Sequence, residues 1–332
     1  MHFYLLGIDY NTAPIKQREQ VFRQRTQLSV LLGEHLSGRA VILSTCNRFE
    51  VYGIAEDILS LQQDLALVKG IINLNFLESY VLVGKLQVFE HALRLAGGLK
   101  SQLKGEKQIL NQLELWLAQD KFPLALKQLW LKALVLAKEL RFNSGIEKIS
   151  DNLASLIFQE LKLLLKDKSE INLLILGTGK VAELFALEKP AGFNFTFAAH
   201  KNILKAERLA DMSKSKVIDF KEIKNALKNT DILISATSSP HFILDRNDFL
   251  SMGSNKPLYI YDLAMPRDIN PEAATLENII LKDLDALKYI FVASQKKYQD
   301  YFNKAEYLLI NMKENQNGQS FESWHASESF SY

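Results

Sequence analysis

The sequence predicts an α/β protein with two domains and a long C-terminal helix. Short apolar runs rich in β-formers alternate with segments whose apolar residues recur at helical spacing. One such run, Ile171–Leu176, is followed at once by the glycine turn Gly177–Ala182, an order typical of a Rossmann-type nucleotide-binding domain. The length of 332 residues, of which 48% are hydrophobic and 23% charged, suits two or three globular domains.

The net charge and the cysteine content limit the kinds of binding site that the protein can have. The net charge is +2, from 40 basic and 38 acidic residues, so any contact with nucleic acid requires a local basic surface. A single cysteine, Cys46, excludes an intramolecular disulfide and a Cys-based zinc site, and it fits a reducing cytoplasm. Because neither a membrane-spanning apolar run nor a signal peptide is present, we expect a cytoplasmic protein without membrane contact and without a metal.

The first predicted domain spans residues 1–150. Turn residues from Gly7 to Pro14 end its first strand, and the alternation of strands with helices favours a small α/β domain with an antiparallel component. A basic face on its last helix carries Lys138, Arg141 and Ser144. The predicted elements are strands at Phe3–Ile8, Ala40–Leu43 and Glu50–Ile54 and helices at Val88–Leu95 and Leu124–Arg141.

The second predicted domain, residues 151–288, begins with a helix over Asp151–Lys166 and is predicted to bind a dinucleotide. In its glycine turn, Gly177 allows the tight bend, Gly179 lets the backbone approach a pyrophosphate, and Ala182 permits close helix–strand packing. The candidate cofactor-binding residues of this turn are Gly177, Thr178, Gly179, Lys180, Val181 and Ala182.

The type of dinucleotide is predicted from the residues that follow the next strand, Phe193–Ala199. An acidic residue there would accept the ribose hydroxyl of NAD, whereas this sequence has His200 and Lys201, which suit the 2′-phosphate of NADP(H). Further strands are predicted at Asp231–Ala236 and Leu258–Leu263.

Beyond Leu284 the sequence becomes helical, and residues 289–332 are predicted to form a C-terminal helix and a polar tail. The apolar face of this helix either pairs with a second copy of the chain, giving a weak homodimer, or folds back on the nucleotide-binding domain. The residues of that face are Tyr298, Tyr301, Phe302, Tyr307, Leu308 and Ile310.

Cys46 follows the predicted strand Ala40–Leu43 in a stretch of small and polar residues. This position places its thiol at the rim of the sheet. The nearby guanidinium of Arg48 favours the thiolate, which is the reactive form. From these residues alone, a lone cysteine is equally well a small buried hydrophobe.

Several stretches resemble motif blocks of the glutamyl-tRNA reductase family. STCNRFEVY (Ser44–Tyr52) is similar to its cysteine motif, with Phe49 in place of the usual Thr, and the Thr-Ala-Pro turn before Arg18-Glu19 also fits. FEHALRLAGGLKSQLKGEKQILNQ (Phe89–Gln112) resembles its second block, and the glycine turn, ISATSSPH and DLAMPRDI match others. The resemblance covers roughly Leu6–Asn315. The departures in the second block are Gly97, Lys100, Lys107 and Asn111.

The resemblance implies NADPH-dependent reduction of glutamyl-tRNA(Glu) to glutamate 1-semialdehyde, the first step of tetrapyrrole (porphyrin) biosynthesis by the five-carbon route. Cys46 would form a thioester with the glutamyl group, His91 would support the chemistry, and Arg48 would bind the side-chain carboxylate. The implied partners are glutamyl-tRNA(Glu) and glutamate-1-semialdehyde aminomutase, and most of the C-terminal dimerisation domain of the family is missing. The residues implied around the glutamyl group are Thr45, Asn47, Arg48, Ser101, Glu106, Lys107, Gln108 and Gln112.

Two other functions are compatible with parts of the sequence. A shikimate-dehydrogenase-like NADP oxidoreductase suits the second half, but it leaves Cys46 and the first domain unexplained. A non-catalytic tRNA-binding relative is the other alternative, and the intact Cys46, Gly177 and Gly179 argue against it.

Overall fold

The computed structural model describes residues 1–73, 79–118, 122–200, 202–253 and 256–317, with residues 313–317 described by their backbone alone. The strands are β1 (His2–Asp9), β2 (Ala40–Ser44), β3 (Arg48–Ala55), β4 (Tyr80–Val83), β5 (Ile171–Leu176), β6 (Phe193–Ala199), β7 (Lys216–Asp219), β8 (Ile232–Ser235), β9 (Leu258–Asp262) and β10 (Ile279–Asp283). The helices are α1 (Ile15–His35), α2 (Ile58–Ile72), α3 (Lys85–Ala96), α4 (Gln108–Leu117), α5 (Leu124–Ser144), α6 (Leu153–Leu164), α7 (Lys180–Leu187), α8 (Ile203–Ser213), α9 (Ile223–Leu227), α10 (Arg246–Leu250), α11 (Lys288–Lys297) and α12 (Gln299–Asn317).

The N-terminal domain is built on an antiparallel sheet with the strand order β2-β3-β1-β4. Its two central strands are buried on both faces because helices cover each side of the sheet. Leu6 and Ile8 of β1 pack with α1 and α2, whereas Phe3 and Leu5 face α3, α4 and α5. The predicted antiparallel component is therefore confirmed, and the short edge strand β4 adds to it.

The second domain is built on a parallel sheet with the strand order β7-β6-β5-β8-β9-β10. This is the Rossmann order, and the reversal between β5 and β8 opens a crevice at the carboxyl ends of the strands. The bounds of β5 and β6 match the predicted strands residue for residue. The outer strands β7 and β10 were not predicted, because each is short and only partly buried.

The C-terminal helix α12 packs on the N-terminal domain, not on the parallel-sheet domain as one prediction had it. Its residues Phe302, Ala305 and Leu309 are buried in the same apolar cluster as much of α5. Glu306 of α12 also pairs with Arg94 of α3 at 2.7 Å. The predicted self-pairing face is thus partly used within the chain, and the predicted polar tail, residues 318–332, lies outside the described residues.

No helix within the described ranges is long and apolar enough to cross a membrane.

Candidate functional site

A cavity of about 350 Å³ is lined by residues of both domains and contains Cys46. Val181, in the first turn of α7, belongs to its wall, as do Leu263 and Leu284 of the parallel-sheet domain. The structure thus gathers the predicted substrate-binding residues around the cysteine. These cavity residues are Thr45, Asn47, Arg48, Ser101, Glu106, Lys107, Gln108 and Gln112.

Cys46 lies at the tip of the tight turn between β2 and β3. The turn is closed by the Thr45 amide, which donates to Arg48 O at 2.9 Å, and by the Asn47 amide, which donates to Thr45 Oγ1 at 3.2 Å. The Cys46 side chain is exposed, as the predicted rim position requires. Its backbone oxygen accepts a hydrogen bond of 3.0 Å from Arg18 Nη1, which holds the turn against helix α1.

Arg48 favours the thiolate of Cys46, as predicted, but its effect is outweighed and the pKa of the thiol is raised. Although the side chain is accessible to solvent, it lies in the cavity between the two domains, and the resulting desolvation, together with Glu106, raises the pKa of the thiol to about 11. Arg18 and Arg48 oppose this effect without overcoming it. The sequence does not reveal this desolvation, which outweighs both cations; the guanidinium of Arg48 is itself buried and paired with an acid.

That acid, Glu50, is the centre of a buried polar network beneath the cysteine turn. Its carboxylate accepts from Arg48 Nη1 at 2.6 Å, from the Tyr52 hydroxyl at 2.5 Å and from the Tyr80 hydroxyl. His91 Nε2 lies 2.9 Å from Glu50 Oε1. Burial alone would raise the pKa of Glu50, but Arg48 and His91 hold it well below its usual range.

Two predicted site residues, His91 and Arg48, belong to this buried network. His91 is buried beside Glu50 and is not among the residues that line the cavity. Arg48 borders the cavity, but its Nη1 contacts Glu50 and its Nη2 donates to Lys100 O. The role of His91 in the chemistry and that of Arg48 toward a substrate carboxylate stay predictions.

The loop that carries Glu106 is organised by Arg141, a residue that the sequence placed only on a basic helix face. Arg141 is buried and donates to Gly97 O at 3.1 Å, Gly105 O at 2.8 Å and Glu106 O at 3.2 Å. A Cβ atom at Gly98, whose φ is +78°, would lie 2.6 Å from Arg141 Nη1. The close contact explains the glycine, and a helix face gives no local signal of such contacts.

Two buried polar atoms of the cavity residues lack hydrogen-bond partners among the described residues. They are Asn47 Oδ1 and Ser101 Oγ, and the latter lies beside the Glu106 carboxyl without meeting the geometry of a hydrogen bond. An unsatisfied buried polar atom costs about 1–3 kcal/mol. These atoms are therefore suited to hydrogen bonds with the polar groups of a ligand.

The Glu106 carboxyl is poised to change charge near neutral pH. Burial raises its pKa to about 7, although the adjacent Ser101 hydroxyl, Arg48 and Arg141 counteract this effect in part. A carboxyl group with such a pKa can bind an ammonium group or accept a proton from a neighbouring thiol.

The reactivity of the thiol gives a direct test of this electrostatic coupling. Above pH 7 the Glu106 carboxylate is charged and raises the pKa of Cys46. Glu106→Gln should lower that pKa, so alkylation of Cys46 by iodoacetamide at pH 8 to 9 should become several-fold faster. Rates across pH 6 to 11 measure the effect, and Glu114→Gln, at an exposed position of α4, is the matched control. Equal rates for wild type and Glu106→Gln would disprove the coupling.

The glycine turn after β5 has the geometry expected of a pyrophosphate site. Gly177 has a φ of +104°, and a Cβ atom there would lie 2.6 Å from Ala236 O, so the position requires glycine. Gly179 is the N-cap of α7 and supplies no side-chain cap to the amides of the first turn. Those amides can therefore donate to an anion.

The other predicted cofactor residues lie around this turn. Ala182 is buried, as close helix–strand packing requires, and Lys180 is exposed and pairs with Glu183 at 3.0 Å. His200 is exposed directly after β6, with its ring centroid 6.2 Å from that of Phe220. Thr178 is half-buried. Lys201 lies outside the described residues.

Within the described ranges, no group of three or more His, Cys, Asp or Glu side chains is arranged to hold a metal ion.

Comparisons with known proteins find two family profiles in the chain. The profile "Glutamyl-tRNAGlu reductase, N-terminal domain" matches residues 6–143, and "Shikimate / quinate 5-dehydrogenase" matches residues 159–290. A glutamyl-tRNA reductase of Carboxydothermus hydrogenoformans is 30% identical over 99% of this chain and 75% of its own length. That of Bacillus subtilis is 29% identical over 93% and 71%. The solved structure of glutamyl-tRNA reductase from Methanopyrus kandleri covers 93% of this chain and 78% of its own, with 21% identity and a TM-score of 0.48.

Proposed function

Because this chain belongs to the glutamyl-tRNA reductase family, we propose that its Cys46 cavity carries out the family reaction: NADPH-dependent reduction of glutamyl-tRNA(Glu) to glutamate 1-semialdehyde, the first step of tetrapyrrole synthesis. One observation carries the assignment to this cavity. A single exposed cysteine shares this cavity with polar side chains from a loop distant in sequence and with Val181 of the glycine turn. The nucleophile, the groups that recognise the substrate and the turn that binds the cofactor therefore lie close together.

The first half of the proposed reaction is the transfer of the glutamyl group to Cys46. The sulfur forms a bond to the ester carbonyl carbon, and the bond from that carbon to the ribose oxygen of the tRNA breaks. Because the pKa of the thiol is about 11, its proton must be removed as the attack proceeds. We propose that Glu106 accepts this proton and then donates it to the departing ribose oxygen, which leaves as a hydroxyl group.

Recognition of the glutamyl group needs partners for one ammonium and one carboxylate. Side-chain amides of Gln108 and Gln112 and the unpaired oxygens of Asn47 and Ser101 supply hydrogen bonds. Lys107 is exposed at the cavity, and we propose that it serves as a cationic partner for the carboxylate in addition to Arg48.

The parallel-sheet domain is of the nicotinamide-cofactor-binding type, and its glycine turn fits a dinucleotide. NADPH, when bound, supplies the hydride that reduces the thioester. We propose that Gly177–Ala182 holds the pyrophosphate through the uncapped start of α7. We also propose that His200 and Lys201 face the 2′-phosphate, and a lower KM for NADPH than for NADH would support this choice.

Substitutions at the two glycines should separate folding from cofactor binding. Gly177→Ala forces a side chain into a positive φ and against Ala236 O, so we expect it to lower the free energy of unfolding by about 2 kcal/mol or more. At Gly179 a Cβ atom would have 3.9 Å to its nearest neighbour, Ala236 O, so Gly179→Ala should cost no more than about 1 kcal/mol, the loss expected when alanine replaces glycine at an N-cap. Its added methyl group would still obstruct the pyrophosphate and weaken NADPH binding about tenfold or more.

Urea denaturation and NADPH fluorescence titration measure the two effects. If Gly179→Ala binds NADPH as the wild type does, the turn is not the pyrophosphate site.

The proposed function is tested by NADPH oxidation in the presence of charged tRNA. Glu-charged tRNA should support oxidation and semialdehyde formation, whereas Gln-charged and uncharged tRNA should not. A shikimate-dehydrogenase-like activity predicts oxidation that is independent of tRNA. A non-catalytic relative would bind charged tRNA without any oxidation.

Two finer expectations concern partners. The aldehyde product is reactive, and we propose that an aminomutase specific for it receives it directly. Sedimentation of a mixture of the two proteins tests for a complex.

We also propose a weak homodimer through the residues of α12 that remain exposed, Tyr307 and Ile310. Sedimentation at increasing protein concentration tests it, and a monomer throughout would refute it.

A further inference from the structure

Two charged residues of α1, Arg18 and Glu19, are buried, although arginine and glutamate are normally exposed. The proposed chemistry does not place either of them against the substrate. Each has its main partners outside its own helix, and in both cases one partner belongs to the parallel-sheet domain. Burying such charges is costly unless their pairing is well defined.

Arg18 connects the nucleophile to the other domain through a single guanidinium group. Its Nε donates to Ala13 O at 3.1 Å, and its Nη1 donates to the backbone oxygen of Cys46 at 3.0 Å. Its Nη2 donates to the carboxylate of Asp285, which follows β10. A displacement of Asp285 would therefore be felt at the cysteine turn.

Asp285 also caps α1 from across the domain boundary. The N-cap of this helix is Pro14, which offers no side-chain acceptor, and its first turn contains no acidic residue. Asp285 Oδ2 instead accepts the Ile15 amide at 2.8 Å. The Asp285 carboxylate thus accepts hydrogen bonds both from the first amide of α1 and from Arg18, which lies in the first turn of that helix.

Glu19 forms the second connection. Its carboxylate accepts the Arg267 amide at 2.6 Å, Arg267 Nε at 3.0 Å and Arg267 Nη2 at 2.9 Å. Arg267 lies in the segment after β9, and Asp285 in the segment after β10. Both anchors therefore lie at the carboxyl edge of the parallel sheet, where Rossmann-type domains bind the nicotinamide.

We infer that Arg18, Glu19, Arg267 and Asp285 form a latch, called the α1 latch, that positions Cys46 at the nicotinamide edge for the reduction step. The inference rests on the proposed function. Hydride transfer needs reacting atoms about 3–3.5 Å apart, and here they are supplied by two domains. Apolar contacts such as that of Ile15 with the parallel-sheet core hold the domains together without fixing their register, whereas directional hydrogen bonds fix it. Those of the latch are joined by the Gln102 amide, which donates to Leu284 O at 2.8 Å.

The latch acts unequally on the two halves of the reaction. Thioester formation needs the Cys46 cavity and charged tRNA, whereas reduction also needs the cofactor-binding edge to be aligned with the thioester. The contacts of Glu19 and Arg267 affect only the alignment of the two domains, so both are positioning residues. Arg18 also contacts the Cys46 turn, so it affects both halves of the reaction.

The test compares two activities of Glu19→Gln, Arg267→Ala and the double variant. One is NADPH-dependent semialdehyde formation; the other is release of free glutamate from glutamyl-tRNA without NADPH, which reports thioester formation and its hydrolysis. Each single variant should lower kcat for reduction by about tenfold to a hundredfold, as small misplacements do. Glutamate release should stay within about twofold of wild type, and the double variant should be no slower than the worse single variant.

Arg18→Ala should slow both activities, and Glu34→Ala on the exposed end of α1 is the matched control for both. Thermal unfolding identifies any variant that is not folded at the assay temperature. Unchanged reduction in Glu19→Gln and Arg267→Ala would overturn the inference, as would an equal loss of both activities in these two variants. A wild type with neither activity would instead refute the proposed function.

Discussion

Cys46→Ser is expected to lower semialdehyde formation by at least about a thousandfold, a loss typical of removing a catalytic nucleophile. The hydroxyl is a far weaker nucleophile than the thiol at neutral pH, and a serine ester would not be the thioester that the cofactor reduces. The fold should be unaffected, because the side chain is exposed at the tip of a turn held by backbone contacts.

The measurement is single-turnover reduction of glutamyl-tRNA, with circular dichroism to check the fold. Ser44→Ala, two residues earlier and outside the cavity, is the matched control and should retain activity. With NADPH omitted, mass spectrometry of the wild-type peptide containing Cys46 should find the glutamyl adduct or the assay should detect free glutamate. Wild-type turnover by Cys46→Ser would rule out the covalent route.

The second large effect is expected at Glu50, where Glu50→Gln should lower the free energy of unfolding by about 3–5 kcal/mol. The substitution keeps the size of the side chain but leaves the buried Arg48 without its closest counter-charge; Asp9 remains, at 4.0 Å. Tyr52 and Tyr80 would also lose an ionised acceptor. Tyr80→Phe, which removes one hydrogen bond to the carboxylate and no charge, should cost less, about 1.5–3 kcal/mol.

The loss at Glu50 should depend on pH in a defined direction. The folded-state pKa of Glu50 lies below its unfolded value, so the stabilisation is fully present above about pH 4.3 and declines as the pH falls further. The stability difference between wild type and Glu50→Gln should therefore be constant near neutrality and shrink in acid. Urea titrations from pH 7 to pH 3 measure it, and a difference that grows toward low pH would contradict this account.

Short sequence patterns predicted the strands and turns whose geometry is determined by a few neighbouring residues. An apolar run followed by Gly177 and Gly179 was sufficient to place β5, its turn and α7, because turn geometry and strand burial are encoded over a few residues. The gathering of Ser101 and Glu106 around Cys46 followed only from resemblance, since residues so far apart in sequence share no local signal.

Other features depend on contacts that sequence spacing does not reveal. Arg141 reads as part of a solvated helix face, yet it holds three carbonyl groups of the Glu106 loop. The pKa of Cys46 moves upward because desolvation outweighs nearby cations, and burial of that kind is set by tertiary structure. Arg18 and Glu19 were recognised as a pair, but their partners after β9 and β10 were not.

The position of α12 has a consequence for how the chain folds during synthesis. Phe302, Ala305 and Leu309 complete a core whose other members, such as Phe3 and Trp130, are made much earlier. At about 5–20 residues per second, the ribosome needs on the order of ten seconds to make the segment between α5 and α12. Throughout that interval the apolar residues of α5 lack the partner that α12 provides in the complete protein. The N-terminal domain reaches its mature stability only when α12 emerges, after the parallel-sheet domain has already been made.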